Sequence, residues 1–214
     1  MKRRTRIKFC GFVRAQDIRV AAALGADAMG LVFYEKSPRL LDLESARELR
    51  RVMPSWVACV GLFVNSPPEQ VKGYSNELGL DVVQLHGDEA PAQCLQSVLA
   101  GQRYWRAVRM RETADLLNSW SVHPQAESFV LDAFSDGYGG SGQRFDWTTV
   151  PAAHGRSLII SGGLDSESVG DAITRLHPDG VDVSSGIQGS DPRKKDAEKM
   201  ESFISAVMAA DASL

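Results

Sequence analysis

Eight short apolar runs recur along this chain at a nearly fixed interval, and no other feature constrains its fold so tightly. They begin near residues 5 (RIKFCG), 28 (AMGLVFY), 57 (VACVGLFV), 80 (LDVVQLHG), 103 (RYWRAV), 128 (SFVLDAF), 157 (SLIISGG) and 180 (GVDVSSG). Successive starts lie 23, 29, 23, 23, 25, 29 and 23 residues apart. That interval has room for one strand, one helix and two loops. Several runs are apolar at nearly every position, as expected of parallel strands covered by helices on one face and buried on the other.

The intervening segments carry helix signals. AQDIRVAAALGA (15–26) has apolar residues at helical spacing and closes on glycine, and DLESARELRRVMP (42–54) opens on acidic residues and stops at proline. SPPEQVKGYSNELG (66–79) offers a serine cap and prolines, DEAPAQCLQSVLAG (88–101) ends in glycine, and DSESVGDAITRLHPDG (165–180) has an aspartate or serine cap and a His-Pro stop. DPRKKDAEKMESFISAVMAA (191–210) is long and amphipathic, with Ala197, Met200, Phe203, Ile204 and Val207 on one face. Eight evenly spaced units predict an α/β fold, a single (β/α)8 TIM barrel in one domain spanning residues 1–214. An open doubly wound sheet is the competing architecture, but it does not require eight near-even units.

Charge and composition narrow the function. With 24 basic and 27 acidic residues the net charge is -3, so there is no basic excess of the kind that binds phosphate backbones, and no nucleic-acid partner is expected. No apolar stretch approaches the length of a membrane span, and the apolar run after MKRRTR is broken by Lys8, Gly11 and Arg14 before a signal sequence can develop. A cytoplasmic location follows as an expectation. Three widely spaced cysteines, Cys10, Cys59 and Cys94, suit reduced thiols, and four scattered histidines offer no zinc-type spacing.

In a barrel of this kind chemistry belongs at the carboxyl ends of the strands. That rule selects Cys10-Gly11, Lys36, Ser37 and Arg39, Asn65, His86-Gly87-Asp88, Asp132, Ser161-Gly162-Gly163 and Ser184-Ser185-Gly186. The glycine- and serine-rich loops after strands seven and eight, with GGSG at 139–142, suit a phosphate held by backbone N–H groups and helix amino ends; taken singly, each could be an ordinary tight turn. Arg39 is either a solvated surface arginine or a fork for a carboxylate. Asp132 is a cap, an ion-pair partner or a general acid, and His86 either bonds substrate or locks its loop. Cys10 is either packing or a base. Lys8 shares its side-chain parity and should project inward one layer below, where Asp182 on the neighbouring strand eight is the predicted ion-pair partner.

KFCG, GADAMGLVFYEKSPR, VGLFVN, LDVVQLHGDE, LDA followed by GGSGQRFDW, SGGLDSESV and VDVSSGIQ together make a pattern that covers nearly the whole chain. In these stretches the chain resembles the phosphoribosylanthranilate isomerase family, (β/α)8 enzymes of tryptophan biosynthesis. The resemblance implies an Amadori rearrangement of a phosphorylated small-molecule substrate, an aminoaldose, without metal or organic cofactor. It maps the family's general base onto Cys10 and its general acid onto Asp132. Arg39 maps onto the residue that takes the anthranilate carboxylate, and Gly162, Gly163 and Ser184 onto the phosphate site. His86, Gly142 and Asp182 complete the expected substrate-binding set. A monomer or homodimer without a second fused barrel is expected. Two alternatives remain: the related aminoaldose isomerase of histidine biosynthesis, which has an aspartate where Cys10 stands and binds two phosphates, and a non-catalytic barrel that senses a phosphorylated sugar.

Overall fold

Each of the eight apolar runs is a strand in the computed structural model, which describes residues 4–134, 138, 142–152 and 154–214. The strands are β1 (Arg6–Cys10), β2 (Ala28–Val32), β3 (Ala58–Phe63), β4 (Val82–Leu85), β5 (Arg103–Met110), β6 (Ser128–Ala133), β7 (Ser157–Ile160) and β8 (Gly180–Val183). They pair in parallel, each with its successor, and β8 pairs with β1 to close the barrel. The (β/α)8 architecture read from the spacing is the one observed.

Strand alternation sorts the side chains. In β1, Ile7 and Phe9 face the helices, and the Phe9 ring meets Phe203 edge-on at 5.9 Å. Lys8 and Cys10 therefore face the barrel axis. Inside, Ala28, Val60 and Val82 form one apolar cluster and Ala107, Val130 and Ile159 another, with Trp105 packed against both. Cys10, Val32, Leu62 and Val64 form a third, nearer the carboxyl ends. The interior is thus filled in layers, each fully buried Val, Leu or Ile side chain contributing about 1.5–3 kcal/mol.

The helices are α1 (Ala15–Leu24), α2 (Leu43–Val52), α3 (Pro68–Leu78), α4 (Pro91–Gln96), α5 (Thr113–Val122), α6 (Val169–Leu176) and α7 (Ala197–Ser213). Asp42 and Asp196 cap α2 and α7 by accepting from the backbone N–H of Ser45 and Lys199. The serine cap expected for α3 is not used, because the chain enters the helix through Pro67. Helix α5 was not among the predicted segments; it begins with a reciprocal Glu112–Asp115 capping box rather than the expected Ser, Thr or Pro signal. Between β6 and β7 the described residues contain no α-helix, only a short 3-10 turn at Trp147–Thr149. On α7, Met200, Phe203, Ile204 and Val207 are buried as expected, but Ala197 is exposed in the first turn. Among the described residues no helix is long and apolar enough to cross a membrane.

Candidate active site

A cavity opens at the carboxyl ends of the strands; of the residues selected from the sequence, Cys10, Arg39, His86, Asp132, Gly142, Gly162, Gly163, Asp182 and Ser184 line it, while Gly11, Asn65, Gly87, Asp88 and Gly186 do not. Cys10 ends β1 as a free, buried thiol. Its sulfur lies in the hollow left by Gly30 of β2, where an added Cβ would come within 2.6 Å of Sγ. Directly below, Lys8 donates from Nζ to Asp182 Oδ2 at 2.8 Å, and the two side chains are only 3% and 6% exposed. The expected ion pair is present. Burial pulls the Lys8 ammonium down, but the charges of Asp182 and then Cys10 outweigh it and leave Lys8 above its ordinary value. The other carboxylate oxygen, Asp182 Oδ1, is buried without a hydrogen-bond partner among the described residues.

Asp132 is the penultimate residue of β6, three strands from β1 the short way round the barrel. Oδ1 accepts from the backbone N–H of Ala133 at 2.9 Å, and Oδ2 lies 3.2 Å from His86 Nε2, within ion-pair range but off the line of a hydrogen bond. Gln84, two residues before His86 on the same face of β4, places its Nε2 3.2 Å from His86 Nδ1. Donation by that amide leaves the imidazole proton on Nε2, toward Asp132. Gly162 has φ +79° and packs so closely that a Cβ would lie 2.7 Å from Ala133 N and 2.8 Å from Asp132 Oδ1. Only glycine satisfies both the left-handed backbone and the contact.

The HGDE loop is held by a buried clamp. Arg106 donates to Glu89 Oε2 at 2.6 Å and to the carbonyls of Leu85 and Gly87, while Glu89 Oε1 accepts from the backbone N–H groups of Asn65 and Gly87. Asp88 turns outward to Arg109 and Tyr138 at the rim.

Arg39 is 8% exposed, yet among the described residues its guanidinium has neither a hydrogen bond nor an ion pair. The choice between a surface arginine and an anion fork is therefore decided against the surface. Across the cavity, Gly142, Ser161, Gly162 and Gly163 from two loops meet Ser184 and Ser185. The N–H groups of Gly162 and Gly163 find no acceptor among the described residues. One expectation needs correction: SGGL does not open a helix, because residues 165–168 form a turn before α6, and the nearest helical amino end is the 3-10 turn Ser185–Ile187 after β8. Of the predicted GGSG loop, residues 139–141 lie outside the described residues.

The chain matches the family model for N-(5'phosphoribosyl)anthranilate (PRA) isomerase over residues 7–206. It belongs to this isomerase family. A curated isomerase of the same name from Leptothrix cholodnii is 47% identical over 98% of this chain and 93% of its own length. The crystal structure of phosphoribosyl anthranilate isomerase from Thermotoga maritima superposes with a TM-score of 0.87 at 35% identity, covering 96% of this chain and 99% of that one. A second solved isomerase of the family, 32% identical with a TM-score of 0.81 over 96% of this chain and 99% of its own, holds reduced 1-(o-carboxyphenylamino)-1-deoxyribulose 5-phosphate. This isomerase thus acts in tryptophan biosynthesis.

Several wall residues were not singled out from the sequence. Gln84 carried a usable signal, a lone amide in the apolar run VVQL with the same parity as His86. Tyr34 and Tyr138 meet edge-on at 5.9 Å over the apolar cluster around Cys10, but they lie in loops where periodicity says nothing about direction. Among the described residues no three His, Cys, Asp or Glu side chains are grouped to hold a metal ion.

Proposed function

We propose that this chain, as one domain over residues 1–214, converts N-(5'-phosphoribosyl)anthranilate to 1-(2-carboxyphenylamino)-1-deoxyribulose 5-phosphate, with Asp132 as general acid and Cys10 as general base. The observation that carries the reading is a thiol and a carboxyl facing one cavity that also presents the buried guanidinium of Arg39, unpaired among the described residues. Protonated Asp132 gives its proton to the ribose ring oxygen, the C1–O bond breaks, and the amine lone pair forms a Schiff base at C1. The Cys10 thiolate then takes the proton on C2; the C–H electrons form the C1–C2 double bond and the C=N electrons return to nitrogen. The enolamine tautomerises to the ketone, the C2 hydroxyl losing a proton as C1 gains one.

The surroundings support these roles. His86, held by Gln84, is placed to position the Asp132 carboxyl, and Lys8 supplies a cation directly beneath Cys10. Arg39 suits the substrate's carboxylate. The open amides of Gly162 and Gly163, with Gly142 and Ser184, suit its phosphate, and Asp182 Oδ1 can accept from a ribose hydroxyl. A thiol in place of a strand-one carboxylate disfavours the histidine-pathway reading. The non-catalytic sensor leaves the Lys8 cation under Cys10 without a use.

The test is turnover of freshly prepared substrate, followed by loss of its anthranilate-type fluorescence. Wild type should accelerate the reaction, and Cys10→Ser and Asp132→Asn should each lower kcat by about 10²-fold or more. Full activity in both variants overturns the acid–base assignment, and phosphate-dependent binding without turnover in wild type favours the sensor.

A further inference from the structure

The mechanism leaves one buried cation unused. Lys195, in the segment leading into α7, is 5% exposed, and its backbone N–H donates to Asp17 Oδ2 at 3.0 Å. Its Nζ donates to the Ser184 carbonyl at 2.9 Å and reaches Ser184 Oγ at 3.4 Å, both neutral acceptors. Among the described residues no carboxylate lies within ion-pair range of Nζ. A buried ammonium without a carboxylate is costly unless something in the site gains from it.

The hydrogen bonds show where it acts. Ser184 Oγ donates onward to the carbonyl of Cys10 at 3.0 Å, so Lys195 reaches the Cys10 main chain through a single hydroxyl. The same corner holds Arg39, whose Cδ and Nε would lie 2.5 and 2.7 Å from a Cβ at Gly11, where Ser184 Oγ would lie at 3.2 Å. Lys8 stands below Cys10 on Asp182. Lys8, Lys195 and Arg39 therefore share the corner around Cys10, and among the described residues only Lys8 has a carboxylate of its own.

We propose that Lys195 is a positioning residue for the isomerase reaction, a second buried cation that holds Ser184 and, from behind it, favours the thiolate of Cys10. This rests on the reading of Cys10 as the base. The groups facing Lys195 come from each neighbouring element: Arg39 after β2, Cys10 on β1, Asp182 on β8 and Asp17 on α1, with Arg14 at its carbonyl. Burial first, and then the Arg39 charge, push the Lys195 amine down to about 7, against the opposing pull of Cys10, Asp182 and Asp17. Its charge is therefore sensitive near neutral pH to the gain or loss of an anion at Cys10.

The experiment measures alkylation of Cys10 by iodoacetamide as a function of pH, quantified on the Cys10 peptide by mass spectrometry, in wild type, Lys195→Met and Lys195→Arg. In Lys195→Met the midpoint should move to higher pH, and alkylation at neutral pH should slow by about five- to tenfold, the scale of one opposite charge acting through partly screened surroundings. Lys195→Arg should restore the midpoint to the wild-type value or below it. A purely structural role would lower thermal stability and leave the midpoint in place; that result overturns the proposal. A second measurement does not depend on a variant folding: NMR of the lysine ε positions in wild type should find the Lys195 midpoint moving to lower pH once Cys10 is alkylated, and a midpoint indifferent to Cys10 alkylation overturns the proposal. Full turnover by Cys10→Ser would remove Cys10 as base without touching either readout, so the two failures are distinguishable.

Discussion

Lys8 and Asp182 are direct register partners across the β1–β8 seam, and their charged groups meet at 2.8 Å inside the barrel. Asp182→Asn leaves the ammonium buried without its counter-charge and should cost about 3–5 kcal/mol in urea unfolding near neutral pH. Because the folded Lys8 lies above its ordinary value of 10.5, the pair's contribution is complete below that pH and is lost as pH rises through the folded value. The stability gap between wild type and Asp182→Asn should therefore narrow on the alkaline side. A gap that widens above about pH 10.5 would contradict a Lys8 ammonium stabilised by folding.

Arg39→Ala should raise KM for the anthranilate substrate by about tenfold or more, the scale of one charge-assisted hydrogen bond, with a smaller effect on kcat. Lys at this position should recover part of the loss, since it keeps the charge without the two-pronged geometry. Removing a buried guanidinium that has no counter-ion among the described residues should leave thermal stability equal to wild type or higher. Steady-state kinetics and a melting curve on the same preparation check both statements.

His123 closes α5 with its ring buried and Nδ1 unpartnered among the described residues, and burial first, then the Arg106 charge, push its imidazole down to about 4. The unfolded chain takes up a proton near the ordinary value of 6.5 that the folded chain refuses. Stability is complete above 6.5 and is lost as pH falls toward 4. His123→Gln should flatten that acid limb in melting temperatures measured across the interval, and an NMR titration of the wild type should find this imidazole still neutral at about pH 5. An unchanged acid limb in the variant would assign the loss to other groups.

Gly30→Ala tests whether Cys10 needs the hollow its sulfur occupies. The new methyl would lie 2.6 Å from Sγ, so the thiol must rotate or the strands must part. The expected outcome is a fall in kcat of about tenfold or more with a folded barrel, because misplacing a reacting group by about 1 Å is costly. Wild-type kcat in this variant would show that the position of Sγ matters little.

What the sequence determined by itself was the periodic part. Seven intervals long enough for a strand and a helix leave a barrel as the natural closure, and strand parity then sends Lys8 and Cys10 inward, with Asp182 beside Lys8, without any coordinates. Local chemistry carried the capped helices too, but α5 opens on Glu112 rather than on serine or proline, so no strong local signal marks it. Tertiary structure alone decided what the loops do. Arg39 reads along the chain equally as a surface arginine or a carboxylate fork, and it is buried because Gly11 leaves it space against β1. Lys195 lies in the run RKK, where all three cations look equally solvated; it is buried because Asp17 takes its backbone N–H and Ser184 takes its ammonium. Those partners are 178 and 11 residues away, a relation that no local periodicity encodes and that exists only once β8 has closed against β1.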